Sequence, residues 1–146
     1  MFTPVYALSP YDAEKEVLLP RIEQFLKICD RYQIRPGLVF FDDCHRRTGA
    51  TLETQAPIKG YCNGRWAALQ DSERKEENFP KFKTYVQDIV RAHRDDPRVL
   101  WWEVYNEPEF THSKEGRIPL PFQEKLRAAA YGWVMECKPV QPVLSC

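Results

Sequence analysis

Val99-Leu100-Trp101-Trp102-Glu103-Val104-Tyr105-Asn106-Glu107-Pro108 is the stretch on which the reading of this chain turns. An apolar run rich in aromatic and β-branched residues stops at a polar pair and a proline. Such a run reads as a strand buried on both faces. Pro108 has no N–H to give to a sheet ladder, so the strand is expected to end there. An amide, Asn106, and a carboxylate, Glu107, are thereby predicted at the rim of a buried strand. Parallel-sheet proteins place their chemistry at that rim.

Working outward, Asp95-Asp96-Pro97-Arg98 makes the turn into this strand. Before it, a helix is predicted from near Pro80, with Asn78 as candidate cap. Phe82, Val86, Ile89 and His93 share its inner face, broadened by Tyr85 and Val90. His93 reads as a helix-terminal or packing residue rather than a ligand. Further upstream, Gly37–Phe41 reads as a short buried strand that runs into Asp42 and Asp43. Between these elements, residues 42–79 form a long polar loop holding Tyr61, Asn63 and Trp66, a length associated with function or mobility. The first helical pattern places Leu18, Ile22, Phe25, Cys29 and Tyr32 on one face from about Tyr11, after an irregular start. Pro20 either opens the main helix or kinks a longer one. Downstream, a loop over 109–120 leads to a helix from Pro121 to Cys137. Pro139 ends it, and Pro142-Val143-Leu144 begins another strand.

Helices thus alternate with apolar strands across a single domain, residues 1–146, which implies an α/β fold with parallel strands. The predicted loops after strands are long and those after helices short, as in a (β/α)8 barrel. A doubly wound open sheet is the alternative, but its Gly-rich phosphate loop is not found.

Hydrophobic residues make up 43% of the 146 residues, enough for a globular core. Lysine plus arginine and aspartate plus glutamate both number 21, so no charge excess favours nucleic acid or an anionic membrane. No apolar run approaches the length of a membrane span, and the start lacks a signal-peptide pattern. Five cysteines leave at least one unpaired within a monomer. Cys29 and Cys137 fall on apolar helix stripes and read as buried thiols. Cys44 and Cys62 flank one loop, where a disulfide, or a metal site with His45, is the less favoured reading. No CxxC or HxxxH spacing supports a metal, and no cofactor is expected.

Asp96 to Pro108 resembles the fourth-strand signature of the clan of (β/α)8 retaining glycoside hydrolases. The clan includes glycoside hydrolase family 5, with cellulases and β-mannanases, and the β-galactosidase-like catalytic domains of family 2. Gln33 to Asp43 is similar to a third strand of such barrels, and Lys138 to Val143 to the approach to a fifth. The resemblance implies that Glu107 is the general acid/base, protonating the leaving group and then activating water. It implies that Asn106 binds the sugar 2-hydroxyl, and that Asp42 and Asp43 serve substrate contacts. Trp66, on an overhanging loop, is a candidate sugar platform, with Tyr61; Trp101 and Trp102 point to opposite strand faces and read as core. Glu103 is expected in a buried polar network, and Glu109 in solvent.

Retention needs a second carboxylate about 5–5.5 Å away as nucleophile. In the clan that glutamate ends the seventh strand, which these residues do not reach. The expectation is therefore a partial TIM (β/α)8 barrel, a glycosidase fragment weakly active alone, with a carbohydrate substrate. Its open sheet edges favour self-association. The alternative is a non-catalytic carbohydrate-binding or remnant α/β domain.

Overall fold

The computed structural model describes residues 8–42, 74–106, 108, 112–113, 116–117 and 121–145. Asp43, Cys44, His45, Tyr61, Cys62, Asn63, Trp66, Glu107 and Glu109 lie outside the described residues. Three helices, α1 (Leu8–Arg31), α2 (Phe79–His93) and α3 (Pro121–Glu136), alternate with β1 (Gly37–Asp42), β2 (Trp101–Asn106) and a short final strand, Val143–Leu144. A two-residue antiparallel ladder, β3 (His112–Ser113) with β4 (Gly116–Arg117), lies between β2 and α3, where sequence suggested only loop. The final strand is accordingly β5.

β1 pairs parallel to β2 from Gly37↔Trp101 to Asp42↔Asn106. β5 pairs parallel to the other side of β2 through Trp102↔Val143. The sheet order β1-β2-β5 follows the chain, and the class is α/β with a three-stranded parallel sheet. Strand alternation then sorts the side chains. Leu38, Phe40, Asp42, Trp102, Val104 and Asn106 share one face. Gly37, Val39, Phe41, Trp101, Glu103 and Tyr105 share the other. Both faces are packed, which is why neither strand shows a polar alternation in sequence. On the first, the Phe40 and Trp102 rings stack 5.7 Å apart. On the second, Phe41 meets Phe82 of α2 at 5.6 Å and Tyr105 at 5.7 Å. Tyr85 touches the rings of both Phe40 and Phe41, and its hydroxyl donates to the Phe40 carbonyl at 3.3 Å.

α1 runs unbroken through Pro20. Pro20 and Glu16 are both exposed, so the Glu16 carbonyl that loses its helical donor faces water. Its buried stripe is Leu18, Ile22, Leu26 and Cys29, with Phe25 only half-buried and Tyr32 exposed beyond the helix. The periodic reading put Tyr32 on that face, but the chain has left the helix one residue earlier. Gln33 adopts φ 58 and the Ile34 N–H bonds the Cys29 carbonyl at 2.9 Å, closing the helix in a Schellman pattern. Asn78 does not cap α2 through its side chain. It is already helical, as the last residue of a 3-10 turn at Glu76–Asn78. The expected face of α2 is buried throughout, His93 included, and Gln87 joins it.

β2 is shorter than the apolar run. Val99 and Leu100 form an extended lead-in, and the Leu100 N–H reaches the Pro36 carbonyl at 2.9 Å. Gly37 is required where it stands, because the Trp101 indole lies directly over its Cα and would collide with any Cβ. Cys29 and Cys137 are buried free thiols, as expected.

Candidate functional site

β1 and β2 end together. Asp42 and Asn106 are register partners, the last residue of each strand, and both belong to the Phe40–Trp102 face. Adjacent parallel strands lie about 4.8 Å apart, so an acid and an amide sit side by side at the carboxyl rim. Asp42 is 1% exposed and Asn106 9%. A buried carboxylate is costly unless it is engaged by other groups, and Asp42 does interact with neighbouring residues. The sequence-predicted rim residues Asp42 and Asn106 are therefore brought together. Pro108 is buried in the turn beyond β2. Asp43, Trp66 and Glu107 fall outside the described residues, so of the proposed acid/base only its chain position, directly after Asn106, is given.

The opposite end of the sheet carries a second polar assembly that sequence reading did not single out. The Arg98 guanidinium donates to Asp96 through Nε at 2.9 Å and Nη2 at 2.6 Å. It also donates to Glu23 through Nη2 at 2.7 Å and Nη1 at 3.2 Å. The Arg98 backbone N–H closes an Asx turn on Asp96 Oδ1 at 2.9 Å, which aims the chain into β2. His93 Nδ1 lies 3.7 Å from Asp96 Oδ2. Hydrogen bonds from Arg98 hold the carboxyls of Asp96 and Glu23 below their ordinary range. Burial pushes the His93 imidazole down, against the pull of Asp96. Ligand atoms of Glu23, His93 and Asp96 lie within 4.8 Å of one another, yet Arg98 already neutralises both carboxylates. The cluster reads as an ion network that ties α1 to the strand entrance.

Gln141 completes this end. Its Nε2 donates to the carbonyls of His93 at 3.2 Å and Asp96 at 2.8 Å, while its Oε1 accepts from Trp102 Nε1 at 2.9 Å. The polar glutamine between Val140 and Pro142 was the available sequence signal. Its partners, 39 to 48 residues away, were not legible. Glu103 departs from expectation. It is 5% exposed, but among the described residues its Oε1 has no hydrogen-bond partner.

Comparison with protein-family models, curated proteins and solved structures finds no match. No helix among the described residues is long and apolar enough to cross a membrane.

Proposed function

We propose that this chain supplies part of a (β/α)8 retaining β-glycosidase barrel, with Glu107 as general acid/base and a carbohydrate as substrate. The observation that carries the reading is the register Asp42↔Asn106. It sets an acid and an amide on neighbouring parallel strand ends, immediately before Glu107. The chain-order sheet β1-β2-β5, with helices between its strands, also suits a barrel wall. In this reading Asn106 holds the sugar 2-hydroxyl, and Asp42, deeply buried beside it, fixes the rim on which Asn106 stands. Glu107 gives its proton to the departing glycosidic oxygen and then takes one from the attacking water. The nucleophilic carboxylate of such a barrel stands on a strand outside these residues.

The test is hydrolysis of aryl β-glycosides by the gene product, compared with Glu107→Gln. A missing proton donor hurts poor leaving groups most, so the variant is expected to lose about 10²–10⁴-fold on alkyl or phenyl glycosides. Dinitrophenyl glycosides, which leave without a proton, are expected to suffer far less. Equal activity of both proteins on poor leaving groups refutes the assignment. Saturable sugar binding without turnover in either protein favours the non-catalytic carbohydrate-binding alternative.

A further inference from the structure

The two flanks of α3 are unlike. Toward α2 and the turn before it, charges are paired: Lys125 with Glu76, and Glu136 with Lys83 at 2.7 Å. Phe122 and Trp133 pack on the Phe79 ring on that flank. On the other flank, Glu124, Ala128, Tyr131 and Met135 follow one another at steps of four, three and four. Lys138 continues the row three residues later, just past the helix end. All five are exposed. Alternating steps of four and three make the seam by which one helix packs on another. Among the described residues neither Glu124 nor Lys138 makes a side-chain ion pair.

The open side of the sheet lies beneath this row. α2 meets β1 through Phe82 and Tyr85, whose rings touch Phe41. The flank of α3 away from α2 is therefore the one above the outer edge of β5, against which α3 packs. β5 ends the sheet order β1-β2-β5, and Val140, Leu144 and Ser145 are exposed there. β1, the other outer strand, is buried along its whole length. A head-to-tail contact of β5 on β1 is thereby closed off, and β5 on β5 is open.

We propose that this flank of α3, with the outer edge of β5, binds a second copy of the chain about a twofold axis, with the two α3 helices antiparallel. The end charges select this arrangement. Antiparallel pairing centred on Tyr131 sets Glu124 against Lys138 of the second copy at both ends of the seam, about 20 Å apart. It also sets Met135 beside the small Ala128 of the second copy. Parallel pairing sets Glu124 against Glu124 and Lys138 against Lys138, and aligns the helix dipoles. A twofold contact needs only one self-complementary patch. The self-association expected of open sheet edges thus acquires a particular face. The proposal does not depend on the glycosidase reading. One helix flank and a two-residue strand make a small contact, of the weak class, so a dissociation constant of about 10–100 μM is expected.

The test is sedimentation velocity of the intact chain from about 1 μM to about 1 mM. A monomer–dimer equilibrium is expected. Glu124→Lys and Lys138→Glu each place like charges at both ends of the seam, and each alone is expected to weaken association about tenfold. Mixed in equal amounts, the two variants regain both opposite pairs in a mixed dimer. That dimer is expected to match the native one within about threefold. Met135→Lys is expected to weaken association at least tenfold. All three sites are exposed, so circular dichroism is expected to stay unchanged. Ile28→Lys, at an exposed apolar position of α1, is expected to leave association unaffected. A chain that stays monomeric up to about 1 mM overturns the proposal. So does a mixture that associates no better than its separate variants, or a loss confined to Ile28→Lys, which moves the contact to α1.

Discussion

Replacing Gln141 by leucine keeps the side chain's size and removes three hydrogen bonds at once. In the native chain, Gln141 is 7% exposed and ties the end of α2, the turn at Asp96 and the indole of Trp102 to the segment that leads into β5. Each neutral bond is worth about 1 kcal/mol net, and stranding the indole N–H of the fully buried Trp102 adds about 1–2 kcal/mol. The apolar leucine returns about 1 kcal/mol through burial. The expected net loss is about 3 kcal/mol, a large share of a domain stability of roughly 5–15 kcal/mol. With a urea slope of about 2 kcal/mol per molar, the unfolding midpoint falls by about 1.5 M. The assay is equilibrium urea unfolding followed by far-ultraviolet circular dichroism. The local consequence is readable too. The Trp102 N–H bonds the Pro142 carbonyl at 2.9 Å, beside the register pair Trp102↔Val143, so amide exchange at β5 is expected to accelerate. A double-mutant cycle with Trp102→Phe isolates the indole bond and is expected to give a coupling of about 1 kcal/mol. A Gln141→Leu midpoint within about 0.3 M of the native value refutes the reasoning.

Arg98→Met preserves the apolar stem of the side chain and deletes the guanidinium, stranding Asp96 at 13% exposure and Glu23 at 35%. The expected cost is about 2 kcal/mol, carried mainly by Asp96 because the more exposed Glu23 is screened. Glu23→Gln is expected to cost under 1 kcal/mol by the same unfolding assay, and equal losses for the two variants contradict the argument. Acid is expected to destabilise the chain in two stages. Burial lowers the folded pKa of His93, so the unfolded chain takes up that proton first. The His93 contribution is complete above about pH 6.5 and is lost as pH falls through its depressed folded value. Asp96 and Glu23, also depressed, contribute fully above about pH 4 and lose their contributions at lower pH. The groups facing His93 are Glu23 from α1, Asp96 from the turn and Arg98 from the strand entrance. His93→Gln is expected to remove the first stage and keep the second. A variant that still loses as much stability between pH 7 and 5 as the native chain refutes the assignment.

Local pattern was enough to give the alternation of helices and strands, the buried runs of β1 and β2, and the inner face of α2. These follow from side-chain periodicity and burial, both of which are written along the chain. The end of β2 at Asn106, two residues before Pro108, was legible for a related reason, because a proline closes a ladder wherever it falls. Helix ends were less legible. Gln33 turns left-handed two residues past the end of α1, and Lys138 takes φ 53 just past α3, though neither position carries the glycine that usually marks such an end. Pro20 was ambiguous because whether its lost hydrogen bond breaks a helix depends on whether the orphaned carbonyl reaches water.

Contacts across long sequence separations were decided only when the elements packed. The pairing of Asp42 with Asn106, the clamp of Arg98 on Glu23, 75 residues away, and the three bonds of Gln141 join segments with no local relationship. The empty hydrogen-bonding positions of Trp101 and Glu103 belong to the same class. A sequence shows that a residue is polar and lies in a buried strand. Whether a partner meets it there depends on how the neighbouring helix and strand pack, which only the folded chain determines.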